Sequence, residues 1–129
     1  MEKTEQIAIL NDRARQAMGI ACQLFCTEGI SAMSEADQSA VRQCVETYNA
    51  FSPDNDPHGE RDFGTIYQLA DGRWTGEPQA RRPDGSDPVT RRIFWKIDYY
   101  SHDLKHGSEA PEDAARTQRI LTIMLAHEY

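Results

Sequence analysis

Arg92-Ile93-Phe94-Trp95-Lys96-Ile97-Asp98-Tyr99-Tyr100 is the segment on which the fold turns. Ile93, Trp95, Ile97 and Tyr99 alternate with Phe94, Lys96, Asp98 and Tyr100, the period of a strand with one buried face. Upstream, Phe63 to Ala70 repeats the pattern, with Phe63, Thr65, Tyr67 and Leu69 on one side. Ile20 to Thr27 reads as a third strand, apolar on both faces and therefore interior, with Glu28-Gly29 turning the chain out of it.

Helices are expected between these strands. Residues 4–17 carry Ile7, Leu10, Ala14 and Ala17 at helical spacing after Thr4 as N-cap. Ser34 followed by Glu35 and Asp37 starts a second helix, on which Val41, Cys44, Val45 and Tyr48 form one stripe that Pro53 ends. Pro111 suits a first helical turn, and Ile120 to Ala126 is apolar nearly all round, so a third, buried helix is expected there, closing at His127 and Glu128. The order α-β-α-β-β-α lacks regular βαβ alternation. It predicts a single α+β domain over residues 1–129, an antiparallel sheet of three or four strands packed by three helices, with a long polar loop at 71–90.

The 129 residues carry 14 Lys and Arg against 21 Asp and Glu, a net charge of −7. That deficit of basic groups argues against direct nucleic-acid binding and against anionic membranes, and favours a basic partner. No apolar run reaches the ~20 residues of a membrane helix. The N-terminus lacks a signal-peptide core. Cys22, Cys26 and Cys44 read as free thiols in a cytoplasmic protein. On one strand Cys22 and Cys26 would stand about 13 Å apart, beyond disulfide reach.

Three patterns could carry chemistry. Asp54-Asn55-Asp56-Pro57-His58-Gly59-Glu60-Arg61-Asp62 holds four carboxylates, an imidazole and a carboxamide within nine residues. Such a loop suits a hard cation, although the spacing is not that of an EF-hand. Its plainer reading is an Asx- and Pro-rich turn. Lys96, Asp98 and Tyr100 share one strand face at about 6–7 Å spacing, which a cross-strand ion pair explains as well as acid–base chemistry. Lastly, acids gather at Asp54, Asp56, Glu60 and Asp62 and again at Asp98, Asp103, Glu109, Glu112 and Asp113, whereas the basic residues concentrate between Arg73 and Arg92, with Arg81 and Arg82 in the long loop. No nucleophile elbow, zincin helix, P-loop or dinucleotide fingerprint is present. Neither a cofactor nor a bound metal is expected.

Leu10-Asn11-Asp12-Arg13, the loop from Asp54 to Gly64, Phe94 to Tyr100, and Leu121-Thr122-Ile123-Met124-Leu125-Ala126-His127-Glu128-Tyr129 together resemble a family of small proteobacterial proteins known as a domain of unknown function. The resemblance runs from about residue 7 to the C-terminus. Residues 71–90 depart from it as an expansion of a shorter turn. It transfers no catalytic residues. Its members are frequent on plasmids and other mobile elements, and small acidic proteins encoded there often inhibit host defence, anti-CRISPR proteins and DNA mimics among them. The resulting expectation is a non-enzymatic inhibitor. Asp54, Asp56, Glu60, Asp62, Asp98 and Asp103 would face a basic nucleic-acid-binding partner such as a CRISPR effector complex. The alternative is a metal-dependent hydrolase or nuclease using Asp56, His58, Glu60 and Asp62.

Overall fold

A computed structural model describes residues 1–78 and 89–129. Along the chain run α1 (Lys3–Gln16), β1 (Gln23–Cys26), α2 (Glu28–Ser31), α3 (Glu35–Glu46), β2 (Phe63–Leu69), β3 (Trp74–Thr75), β4 (Val89–Tyr100) and β5 (Gln118–Leu125), followed by a 3-10 turn at Ala126–Glu128. The strands form one sheet in the order β1-β5-β4-β2-β3. β1 runs parallel to β5, and the other pairings are antiparallel. The fold is α+β as expected, but the sheet has five strands and is mixed.

The decisive segment behaves as its alternation requires. Ile93, Trp95 and Ile97 are buried on one face of β4, while Phe94, Lys96 and Asp98 lie half-buried on the other. All three helices pack on the Trp95 face: Ala14 from α1, Ile30 from α2 and Val41 and Val45 from α3 join Ile66, Leu121 and Ile123 in one core. Trp95 is 0% exposed. Tyr48 and Phe51 meet its ring edge-on at centroid distances of 5.4 and 6.1 Å. On α3, Ser34 caps the first turn by accepting the Asp37 N–H. The helix ends at Glu46 with Thr47 as C-cap, short of the Pro53 stop.

The expected third helix is instead β5. Its apolar run comes from its position: it lies between β1 and β4, with Leu121 and Ile123 in the core and Met124 buried on the opposite side. His127 and Glu128 accordingly belong to a 3-10 turn rather than to an α-helix end. The Glu128 carboxylate accepts from Thr27 Oγ1 at 2.6 Å, Leu125 N at 2.8 Å and Gly29 N at 3.0 Å. This fastens the C-terminal turn to α2, which stands where a plain turn at Glu28-Gly29 was expected. A Cβ on Gly29 would lie 2.6 Å from Glu128 Oε1, so a larger residue there would displace the carboxylate.

β1 is shorter than expected and lies at the sheet edge rather than in its interior. Ile20 sits on the preceding turn at 90% exposure, and Cys22 is buried ahead of the strand. Helix α1 starts earlier than expected, with Glu2 rather than Thr4 at its N-cap position and without a side-chain cap. The expected loop at 71–90 contains β3 and the first residues of β4. Its central part, with Arg81 and Arg82, lies outside the described residues. The three cysteines are free. Among the described residues no helix is long and apolar enough to cross a membrane.

Candidate binding surface at the acidic end of the sheet

Antiparallel pairing of β2 with β4 sets Phe63 against Lys96, so the chain entering β2 lies beside the chain leaving β4. The ladder continues one step further, with Ile97 N donating to Asp62 O at 2.8 Å. The two acidic segments, 54–62 and 98–103, therefore meet at one end of the sheet. Arg91 and Arg92, near the start of β4, and Arg73, beyond β2, stand at the other.

The 54–62 loop is a built structure. Asn55 Oδ1 accepts Ser52 N at 2.8 Å, and Asn55 Nδ2 donates to Ala50 O at 2.7 Å. Both oxygens of Asp56 accept the Arg61 N–H at 3.2 Å. That carboxylate helps hold Arg61 at φ +54°, a left-handed conformation unfavourable for a side-chain-bearing residue. The Arg61 guanidinium then grips Asp12 of α1, Nε at 3.0 Å and Nη2 at 2.7 Å. Asp12 also pairs with the buried Arg15.

Beneath the loop, Asn11 is 0% exposed and makes three side-chain bonds. Its Nδ2 donates to Glu60 O at 2.9 Å and to Tyr99 Oη at 2.8 Å, and its Oδ1 accepts from Arg119 Nε at 2.8 Å. Tyr99 in turn donates to Glu60 Oε1 at 2.8 Å. Burial is the main reason that the Tyr99 hydroxyl is pushed far above its ordinary range and stays protonated as a donor. Arg119 crosses the Tyr99 ring at 5.1 Å and donates to Pro111 O.

The six expected acids thus differ in what they can offer. Asp54 is exposed, and Glu60 and Asp62 are half-buried. Asp56 is committed to the Arg61 backbone. Asp98 reaches the same end on the open face of the sheet but is paired with Lys96 at 3.0 Å. Asp103 turns into its own loop, accepting from Ser101 Oγ at 2.5 Å and Lys105 N at 3.0 Å. Glu5 and Asp12 of α1 add negative charge around Arg61, and Asn11 supports the loop from below. These α1 residues, together with Arg61, carry roles that the sequence reading did not assign. Only the Leu10-Asn11-Asp12-Arg13 motif hinted at them. Among the described residues no group of three or more His, Cys, Asp or Glu side chains is gathered to hold a metal ion. Asp56 and Glu60 face Arg61 and Tyr99 instead of converging on His58.

Asp62 has its carboxyl raised above the ordinary range, first by partial burial and then by the nearby Glu60 and Asp56 charges. The folded chain therefore holds this proton more tightly than the unfolded chain. The resulting stability is present below the unfolded value and declines as pH rises through the folded value. Asp62→Asn removes that decline. Its Tm in differential scanning calorimetry should exceed the parent's by ~2 °C at neutral pH and match it in acid. A lower Tm at neutral pH would contradict the electrostatic account.

Residues 26–128 match the family described as protein of unknown function (DUF3768). The chain belongs to that family. No curated protein and no solved structure matches it. The DUF3768 match runs from the last residue of β1 to the 3-10 turn, and so takes in the acidic loop and β2 to β5. Helix α1, which supplies Asn11 and Asp12 to that loop, lies outside the matched span.

Proposed function

We propose that this DUF3768 protein is a non-enzymatic interaction protein of the cytoplasm. It presents the acidic end of its sheet to a basic nucleic-acid-binding protein, as a mimic of DNA. The observation that carries this reading is the register of β2 on β4, which puts the end of the 54–62 loop and the segment that begins at Asp98 at one end of the sheet, while Arg73, Arg91 and Arg92 stand at the opposite end. Asp54, Glu60 and Asp62 are the principal contacts, Asp56 shapes the loop that presents them, and Asp98 and Asp103 extend the negative field. Carboxylates fixed on a folded surface can occupy a basic groove that otherwise receives phosphates, and complementary charge steers the encounter.

A CRISPR effector complex belongs to this partner class, which makes the protein an anti-CRISPR candidate by the company such proteins keep on mobile elements. Competition with labelled target DNA for a guide-loaded effector tests the reading. Inhibition should weaken steeply between about 50 and 300 mM salt. Asp54→Lys with Asp62→Lys should weaken it by tenfold or more. Inhibition that ignores both salt and charge reversal would contradict the proposal.

A further inference from the structure

All three helices lie against the Trp95 face of the sheet, so among the described residues no helix packs on the opposite face. The strand registers lay out what that face carries. Phe25, Thr122, Lys96 and Phe63 form one row across β1, β5, β4 and β2. Phe94, two residues before Lys96, brings its ring to 5.2 Å from that of Phe63, and the Tyr129 ring meets the two edge-on at 5.8 and 6.1 Å. Tyr129 nevertheless keeps 76% of its surface exposed, and Phe25, at the opposite edge of the sheet from β3, keeps 58%. Exposed aromatic rings grouped on one flat face mark an interaction surface. Charge is sparse on it. Lys96 and Asp98 pair with each other at 3.0 Å, and the exposed Arg92 shares their side of β4 toward the arginine end.

We propose that a second copy of this chain packs on this face, sheet against sheet, with its strands running in the opposite direction. This goes beyond the acidic-end reading and does not rest on it. Two sheets stack about 10 Å apart with their strands nearly aligned, and a two-fold axis lets one patch serve both copies. Charge selects the orientation. An axis along the strands would set acidic end on acidic end, which two chains of net charge −7 oppose. An axis across the strands sets the acidic end of each copy over the arginine end of the other. Arg92 and Asp98 lie three residues to either side of Trp95. With the axis at the level of Trp95, Asp98 of one copy faces Arg92 of the other, twice over, and the 54–62 loops stand apart. Four strands at about 4.8 Å spacing and about eight residues of length offer roughly 500 Å² per copy. The total of about 1,000 Å² is the lower limit of a specific interface, so the dimer is a weak one.

Sedimentation equilibrium of the intact protein tests this. The mass should rise from 14.7 kDa toward twice that value with increasing concentration, with a dissociation constant on the order of 10–100 μM. Phe25→Lys and Tyr129→Lys, at side chains already exposed, should each weaken association tenfold or more. Asp98→Arg and Arg92→Asp should each weaken it severalfold, and the double variant, which restores opposite charges across the axis, should recover most of the loss. Should a variant fail to fold, the mass of the parent protein decides the matter. A mass of one chain at every concentration up to about 500 μM, well above that range, overturns the proposal. So does a dimer that survives both aromatic substitutions, because it would form elsewhere. A dimer weakened by each charge substitution and no stronger in the double variant overturns the opposed orientation.

Discussion

Gly64→Ala should lower the free energy of unfolding by about 3 kcal/mol, among the largest effects of any single methyl added to this chain. A Cβ at residue 64 would lie 2.7 Å from Trp95 Cε2 and closer still to Nε1. Trp95 cannot retreat, because it is fully buried and held edge-on by Tyr48 and Phe51. The strand cannot retreat either, because Gly64 is paired with Trp95 in the β2–β4 ladder. Urea unfolding at an unchanged m-value measures the loss. Adding Trp95→Phe removes the part of the indole nearest residue 64, so the double variant should recover part of what the glycine change lost. A loss below about 0.5 kcal/mol would mean that the indole does not seat against β2.

Asn11→Ala should be comparably severe, at about 3 kcal/mol, for an electrostatic reason. One amide satisfies the Arg119 guanidinium, the Glu60 carbonyl and the Tyr99 hydroxyl. Arg119 is 4% exposed. With Asn11 removed, a buried cation loses a hydrogen bond and cannot recover it from bulk water. The loop above loses its support as well. Amide exchange around Glu60 and Arg61 should accelerate more than in the core strands. A stable variant with an unchanged loop would show that Asn11 is replaceable by water.

How far the sequence could be read follows from which interactions are local. The alternation from Arg92 to Tyr100 was sufficient for β4, because one of its faces is buried and the other half-open. The stripe Val41, Cys44, Val45 and Tyr48 was sufficient for α3. The run from Ile120 to Ala126 misled, because a strand flanked by β1 and β4 is apolar on both faces and then shows no period at all. Its length of eight residues and its isoleucines and threonine favour a strand, but Pro111 and the acids after it imitate a helix start. The parallel pairing of β1 was invisible, since it joins Gln23 to Ile120 across most of the chain. At the acidic end the carboxylates were legible as a cluster, and the loop around them as a turn. Asn11, Asp12 and Arg61 were not, because their partners are long-range: Asn11 is tied to Arg119, 108 positions away.

The retention of Asp62 beside Glu60 and Asp56 bears on function. A carboxylate kept partly buried among like charges opposes stability, and such local conflicts tend to sit where a surface has another task.

The most direct test is site-specific photo-crosslinking in cells from position 54, with position 92 at the opposite end as control, and identification of the captured proteins by mass spectrometry. The account predicts that position 54 captures basic nucleic-acid-binding proteins, that position 92 does not, and that Asp62→Lys removes the capture. Capture of acidic proteins, equal capture from both ends, or capture that survives charge reversal would contradict it.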